Sequence, residues 1–330
     1  MVNAAGAGQS AGDVLSDVLR AVRLTAAMQF CFMPAGTWQT DASPAFSAMA
    51  KGAGAKGAGG TIPFHIVVRG SCWLKIHDQE VALDEGDIVA FPFGTGHQLG
   101  AGIDGRLITP VKDLPPRPWR NLPVLKYGNE PSDLRLFCGY LECSAISFQP
   151  LRDSLPPMLH VRTRATENAD WLLAAIAQIA AEVDRPRHGG LSMLERLSEI
   201  TFIEVLRHHI ISAQLGERGW LAALADPALA RCIALIHAEP VRDWSLQVLA
   251  SAAGLSRSTL AERFETMLGT SPIRYLRDWR LFLASVALRS TSKGISAIAA
   301  ESGYGTEAAF NRAFARAFGM PPAAWRQSVR

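Results

Sequence analysis

The chain has 330 residues, 48% hydrophobic and 19% charged, with 33 Lys+Arg against 30 Asp+Glu for a formal net charge of +3. That composition excludes an intrinsically disordered chain and a wholesale polycation, and the length suggests two domains. Five cysteines without a CxxC pair argue against a disulfide scaffold and for a reducing compartment.

The N-terminus lacks a basic region followed by a long apolar run, so no secretory signal is expected. The most apolar stretch, 171–181, is too short to span a bilayer. The sequence therefore reads as cytoplasmic, with no membrane partner.

The first third reads as β structure. A Gly/Ala/Lys-rich run over 48–60 cannot build a core and is expected to be a flexible loop. Ile62–Gly70 is rich in β-branched and aromatic residues and ends in a turn at Gly70-Ser71. The strand-like segments 71–77, 80–83 and 88–91 follow, with Asp84-Glu-Gly-Asp as a turn. Short strands with frequent turns imply a sandwich or small barrel. The Pro-rich stretch 110–123 is expected to be extended, and Leu134–Cys143 to be a further strand.

After Pro156-Pro157 the hydrophobic period changes from strand to helix. Asn168 can cap a helix through Trp171, Leu172, Ala175, Ile176 and Ile179. Pro186 and Gly189-Gly190 break it, and a longer helix follows from Ser192. The apolar stripes of these two helices suit packing within the chain or a dimer seam.

The charge is unevenly split. Residues 226–330 hold 13 Lys/Arg and 8 Asp/Glu. This basic third also contains an internal repeat of about fifty residues. Leu246–Phe264 followed by Gly269 and Pro272 matches Ile295–Phe314 followed by Gly319 and Pro322. In each copy a short apolar helix ends at a glycine (Gly254, Gly303). A hydroxyl residue then opens a second helix that buries two large side chains four apart, Leu260 and Phe264 or Phe310 and Phe314. The remaining face of that second helix is free for a DNA major groove. Between the copies, Ile273–Ser290 reads as one helix of about 27 Å.

Residues 228–328 resemble the DNA-binding domain of the AraC/XylS transcription regulators, most specifically in the run from Gly303-Tyr-Gly-Thr-Glu to Pro321-Pro-Ala-Ala-Trp-Arg. The resemblance implies recognition helices over 257–264 and 306–314. Arg257, Ser258, Thr259 and Glu262 would face DNA on the first; Thr306, Glu307, Asn311 and Arg312 would do so on the second. Arg312 suits a guanine edge, and Asn311 or a glutamate an adenine or cytosine edge. Arg257, Thr259 and Thr306 suit phosphates. Ala261 and Ala308 stand where family members often carry bulkier residues.

Gly86–His97 resembles the second cupin motif, with His65 where the first would lie. The metal-binding form needs further ligands, and Val67 replaces one of them, so no metal or other cofactor is expected. His65, His97, Cys31 and Cys72 are candidates for sensing a small molecule or an oxidant.

The expected architecture is α+β and multidomain: a cupin-like β-barrel sensor (15–150), a helical linker or dimerisation region (151–225), and an all-α double helix-turn-helix (226–330). The expected function is sequence-specific binding of promoter DNA as a homodimer acting with RNA polymerase. The alternative is a cupin-type metal-dependent enzyme fused to a DNA reader.

Overall fold

The structure, a computed structural model, describes residues 14–21, 24–42, 60–143, 148–165, 169–212 and 218–328. Of the loop expected at 48–60 only Gly60 is described, as the first residue of a strand; the rest of it and the cap Asn168 lie outside the described residues.

The chain divides into two compact units. The first contains the strands β1 (Leu24–Pro34), β2 (Trp38–Asp41), β3 (Gly60–Arg69), β4 (Cys72–Ile76), β5 (Gln79–Leu83), β6 (Asp87–Ala90), β7 (Gln98–Ala101), β8 (Arg106–Ile108), β9 (Val124–Tyr127), β10 (Arg135–Cys143) and β11 (Leu159–Arg162). They form a six-stranded sheet ordered β11-β6-β3-β10-β1-β9 and a five-stranded sheet ordered β5-β4-β7-β2-β8. Phe32, Trp38, Val67, Leu74, Phe91 and Leu136 are buried in one apolar core. Gly70 makes the β3–β4 turn at φ +80°, and a Cβ there would meet the Asp133 carbonyl oxygen. Only glycine satisfies both conditions.

Two expectations are corrected. The described strands form two sheets with no ladder joining them, so the domain is cupin-like without a closed barrel. The start of the Pro-rich stretch is a 3-10 turn, Pro110–Asp113, rather than extended chain. Of the helices expected over 151–225, two pack within this unit, one of the two readings their apolar stripes allowed, because those faces need a surface to cover. They run over Asp170–Asp184 and Gly190–Ser212, and Gln29 Nε2 donates to Leu194 O (3.1 Å) and Ser198 Oγ (2.6 Å) of the second helix.

The second unit is helical. In chain order the helices are α1 (Val14–Ala21) and α2 (Gln149–Arg152), here; α3 (Asp170–Asp184) and α4 (Gly190–Ser212), in the first unit; and α5 (Trp220–Ala225), α6 (Pro227–Ala238), α7 (Leu246–Ala253), α8 (Arg257–Leu268), α9 (Pro272–Ser290), α10 (Ile295–Glu301), α11 (Glu307–Phe318) and α12 (Pro322–Ser328), again here. Phe148, just before α2, lies among Trp220, Tyr275, Trp279 and Phe282, with ring centroids 5.2–5.9 Å away. Trp220 Nε1 donates to Tyr275 Oη (2.7 Å), and Tyr275 Oη lies 2.8 Å from His237 Nε2. His237 stacks on Trp279 at 3.8 Å, and burial lowers its pKa to about 3.

Candidate functional site

The helical unit contains two helix-turn-helix modules. In the first, α7 ends at Gly254 in the left-handed conformation (φ +69°), and Ser256 caps α8 by accepting from Thr259 N at 3.1 Å. In the second, Gly303 takes φ +76° after α10, and Thr306 caps α11 by accepting from Ala309 N at 3.2 Å. Leu260, Phe264, Phe310 and Phe314 are fully buried, which fixes how each second helix rotates on its neighbours. Helix α9 joins the modules with 19 residues, about 28 Å.

Arg257, Ser258 and Glu262 are exposed on α8. Thr259 is half-buried, and its hydroxyl lies 2.8 Å from Ser256 Oγ, so part of its bonding capacity belongs to the cap. Arg263 is held by Asp226 at 3.1 Å, and Asp226 also accepts the first amides of α6. That makes Arg263 a structural cation. In the second module Thr306, Glu307 and Arg312 are exposed. Asn311 is less outward than expected: it is half-buried, and its Oδ1 has no partner among the described residues. Ala261 is half-buried and Ala308 exposed; only small apolar contact is available from either.

In the β unit, His65 and His97 meet. Their Nε2 atoms are 2.8 Å apart, Cys138 Sγ lies 3.1 Å from His65 Nδ1, and His97 Nδ1 lies 2.8 Å from Thr95 O. The Thr95 carbonyl only accepts, so His97 must donate through Nδ1. Its Nε2 is then an acceptor for His65 Nε2–H, and His65 Nδ1 accepts from the Cys138 thiol. Satisfying every group fixes one direction: Cys138 to His65 to His97 to Thr95. Burial lowers the pKa of both imidazoles, His65 well below 6.5 with added repulsion from His97, and His97 to about 4. Phe91 stacks on His97 at 3.7 Å.

This arrangement does not fit a metal. Sites of that kind need three or four converging donors. Here the two Nε2 atoms face each other, while the Cys138 thiol lies at the opposite nitrogen of His65. Among the described residues no group of three or more His, Cys, Asp or Glu is placed to hold an ion.

Beside the relay is a cavity of about 30 Å³ lined mainly by apolar side chains, including Phe30, Phe32, Leu99 and Val111, with His65, Cys138, Tyr140, Thr40 and the carboxylate Asp41. Cys138 is the thiol that the sequence reading did not select. Its signal was the strand register: Cys138 stands directly opposite His65 in the β10–β3 pair. Cys31 and Cys72 are buried instead, at 0% and 7% exposure. Each thiol is pushed up to about 12, mainly by burial, with Asp87 and Asp84 adding to the rise at Cys72. Reactive cysteines show the opposite tendency.

The comparisons bear on both halves. A family model described as a cupin matches residues 13–211, and one described as a helix-turn-helix domain matches 249–328. An AraC-like transcription regulator of Streptomyces antibioticus is 33% identical over 276 residues, covering 81% of this chain and 87% of that protein. The chain belongs to the AraC-type transcription regulators with an N-terminal cupin domain. The HTH-type transcriptional regulator AlkR of Acinetobacter baylyi is 31% identical over 267 residues, covering 80% of this chain and 87% of AlkR. An AraC-type regulator binds DNA, and the helix-turn-helix family match falls on the repeated modules. The relatives are named as regulators, which does not favour the alternative of a cupin enzyme. Among the described residues, no helix is long and apolar enough to cross a membrane.

Proposed function

We propose that this chain is a cytoplasmic, homodimeric regulator that reads promoter DNA through α8 and α11 and responds to a small molecule in the cupin-like cavity. The carrying observation is the cavity itself: apolar walls ending on a polarised chain of neutral donors and acceptors. Among the described residues Asp41 is the one acidic side chain in the lining, so an anion would lose its hydration there without a counter-charge. A small molecule with an apolar body and one hydrogen-bonding group fits the lining. The cavity is smaller than such a molecule, so binding displaces neighbouring side chains, and that displacement is the signal. RNA polymerase is the proposed downstream partner.

Arg312 reads base edges, and Arg257 with the N-terminus of α8 engages phosphate. Both cap hydroxyls, Ser256 and Thr306, hold the helix ends in register for these contacts. The buried thiols favour this reading over oxidant sensing by Cys31 and Cys72.

The test is fluorescence anisotropy of the full chain on its own upstream promoter DNA and on random DNA, across a salt series. A preference for the upstream DNA that falls steeply with salt is expected. Equal affinity for both sequences at every salt concentration refutes the reading. Hypochlorite at low stoichiometry should leave the binding unchanged. A loss of binding that disappears in Cys31→Ser or Cys72→Ser would replace the cavity model with a redox one.

A further inference from the structure

We propose that residues 148–157, in the connection between β10 and β11, carry the state of the buried relay to the helical unit, with the Thr95 hydroxyl as the coupling group. This rests on the sensing reading above and deepens it by naming the route out of the cavity. The connection is shared: residues 148–154 belong to the helical unit, and the chain returns to the β unit at Leu155. Its first part is built as an anchor. Phe148 and Leu151 are buried, and Phe148 fills a box of Trp220, Tyr275, Trp279 and Phe282. Ser154 Oγ donates to Pro150 O (2.8 Å) and accepts from Trp220 N at the start of α5. Gly219, one residue earlier, takes φ +125°, and a Cβ there would meet Ser154 Oγ. Trp220 in turn donates to Tyr275 on α9, the helix that joins the two helix-turn-helix modules.

The last part of the connection is tied to the relay. Thr95 lies outside every strand and bonds in two directions. Its carbonyl accepts from His97 Nδ1 at 2.8 Å, the final bond of the relay, and its hydroxyl donates to Pro157 O at 3.2 Å. The relay needs only the carbonyl; the hydroxyl serves the connection. Between the two tethers, Ser154 and Pro157, stand only Leu155 and Pro156. Each proline ring fixes its own φ and restricts the residue before it, so this piece has few soft torsions. A side-chain displacement in the cavity that shifts His65 shifts His97, and with it Thr95. Thr95 then pulls on a stiff segment whose far end holds the first amide of α5. Each hydrogen bond lies within one unit, and the covalent chain makes the crossing.

A double-mutant cycle on the full chain tests this, read by anisotropy on upstream promoter and random DNA. The relay is broken directly with H65Q/H97Q, so the outcome does not depend on which molecule fills the cavity. Thr95→Val keeps the carbonyl and the side-chain shape and removes only the bond to Pro157. H65Q/H97Q should shift promoter affinity by about fivefold in the wild-type background, and by less than about twofold in the T95V background. Equal shifts in the two backgrounds, or no shift in either, overturn the route. Hydrogen exchange of the wild type and T95V, followed in peptides covering 148–157 and 220–225, gives a second readout that does not require H65Q/H97Q to fold. The Trp220 amide should exchange about fivefold faster in T95V, with β3 and β10 unchanged. Unaltered exchange at Trp220 overturns the route as well. A wild-type chain with no preference for its promoter overturns the regulator reading, and the exchange experiment then decides the route by itself.

Discussion

Acidification should loosen the cupin-like unit through its paired imidazoles. His97 is 3% exposed, and its pKa falls from an ordinary 6.5 to about 4. The folded unit therefore binds fewer protons than the unfolded chain wherever the pH is below 6.5. Stability from this residue is intact above pH 6.5 and is lost as the pH falls toward 4. Between pH 7 and pH 5 that loss comes to about 2 kcal/mol for His97 alone. His65 acts in the same direction, because the two rings repel each other when charged. The assay is urea unfolding at pH 7 and pH 5, monitored separately for the two units, comparing the wild type with H65Q/H97Q. The double variant should be less stable at pH 7, since it breaks the Cys138–His65–His97 relay, yet lose at least about 2 kcal/mol less on acidification. An identical pH dependence in the two proteins would refute the assignment of both imidazoles as buried and neutral.

Further expectations concern the DNA modules and the thiols. Arg312→Ala should cost about 1–3 kcal/mol on upstream promoter DNA and far less on random DNA, whereas Arg257→Ala should weaken both alike and reduce the salt slope by about one; anisotropy titrations check both. Thr306→Ala removes the bond to Ala309 N and should destabilise the helical unit by about 1 kcal/mol, read as a lowered thermal midpoint. Gly254→Ala places a side chain at φ +69° and should cost about 1 kcal/mol in the same assay. A thiol reagent applied to the native chain should leave Cys31, Cys72 and Cys138 unlabelled until urea unfolds the β unit, and rapid native labelling of Cys31 or Cys72 would contradict their burial.

The double helix-turn-helix was legible because its signals are local and repeated. Ser256 and Thr306 announce caps, Gly254 and Gly303 announce left-handed turns, and Leu260/Phe264 with Phe310/Phe314 mark the buried face of each second helix. Each depends on residues within one or two helical turns, so spacing alone carries the information. The short strands over 62–91 were legible for the same reason, as alternation between turn residues. By contrast β1, β2, β9 and β11 pair with strands far away in the chain, and nothing in their own few residues marks them.

The sensor chemistry lay beyond sequence reasoning because it is made by register. His65 and His97 could be picked out as residues, but 32 positions of chain say nothing of an Nε2–Nε2 distance of 2.8 Å. Cys138 was passed over because its partner is set by the β10–β3 ladder, a pairing of residues 73 apart. Cys31 and Cys72 stood as sensing candidates in the sequence, and only packing shows their thiols buried with raised pKa values. Local spacing fixes a helix, its caps and its buried stripe, so the sequence alone determined a DNA-reading module. Burial and the direction of a hydrogen-bond chain are properties of residues brought together from afar, so only the tertiary structure decided that Cys138, His65 and His97 meet as one buried relay beside an apolar-walled cavity.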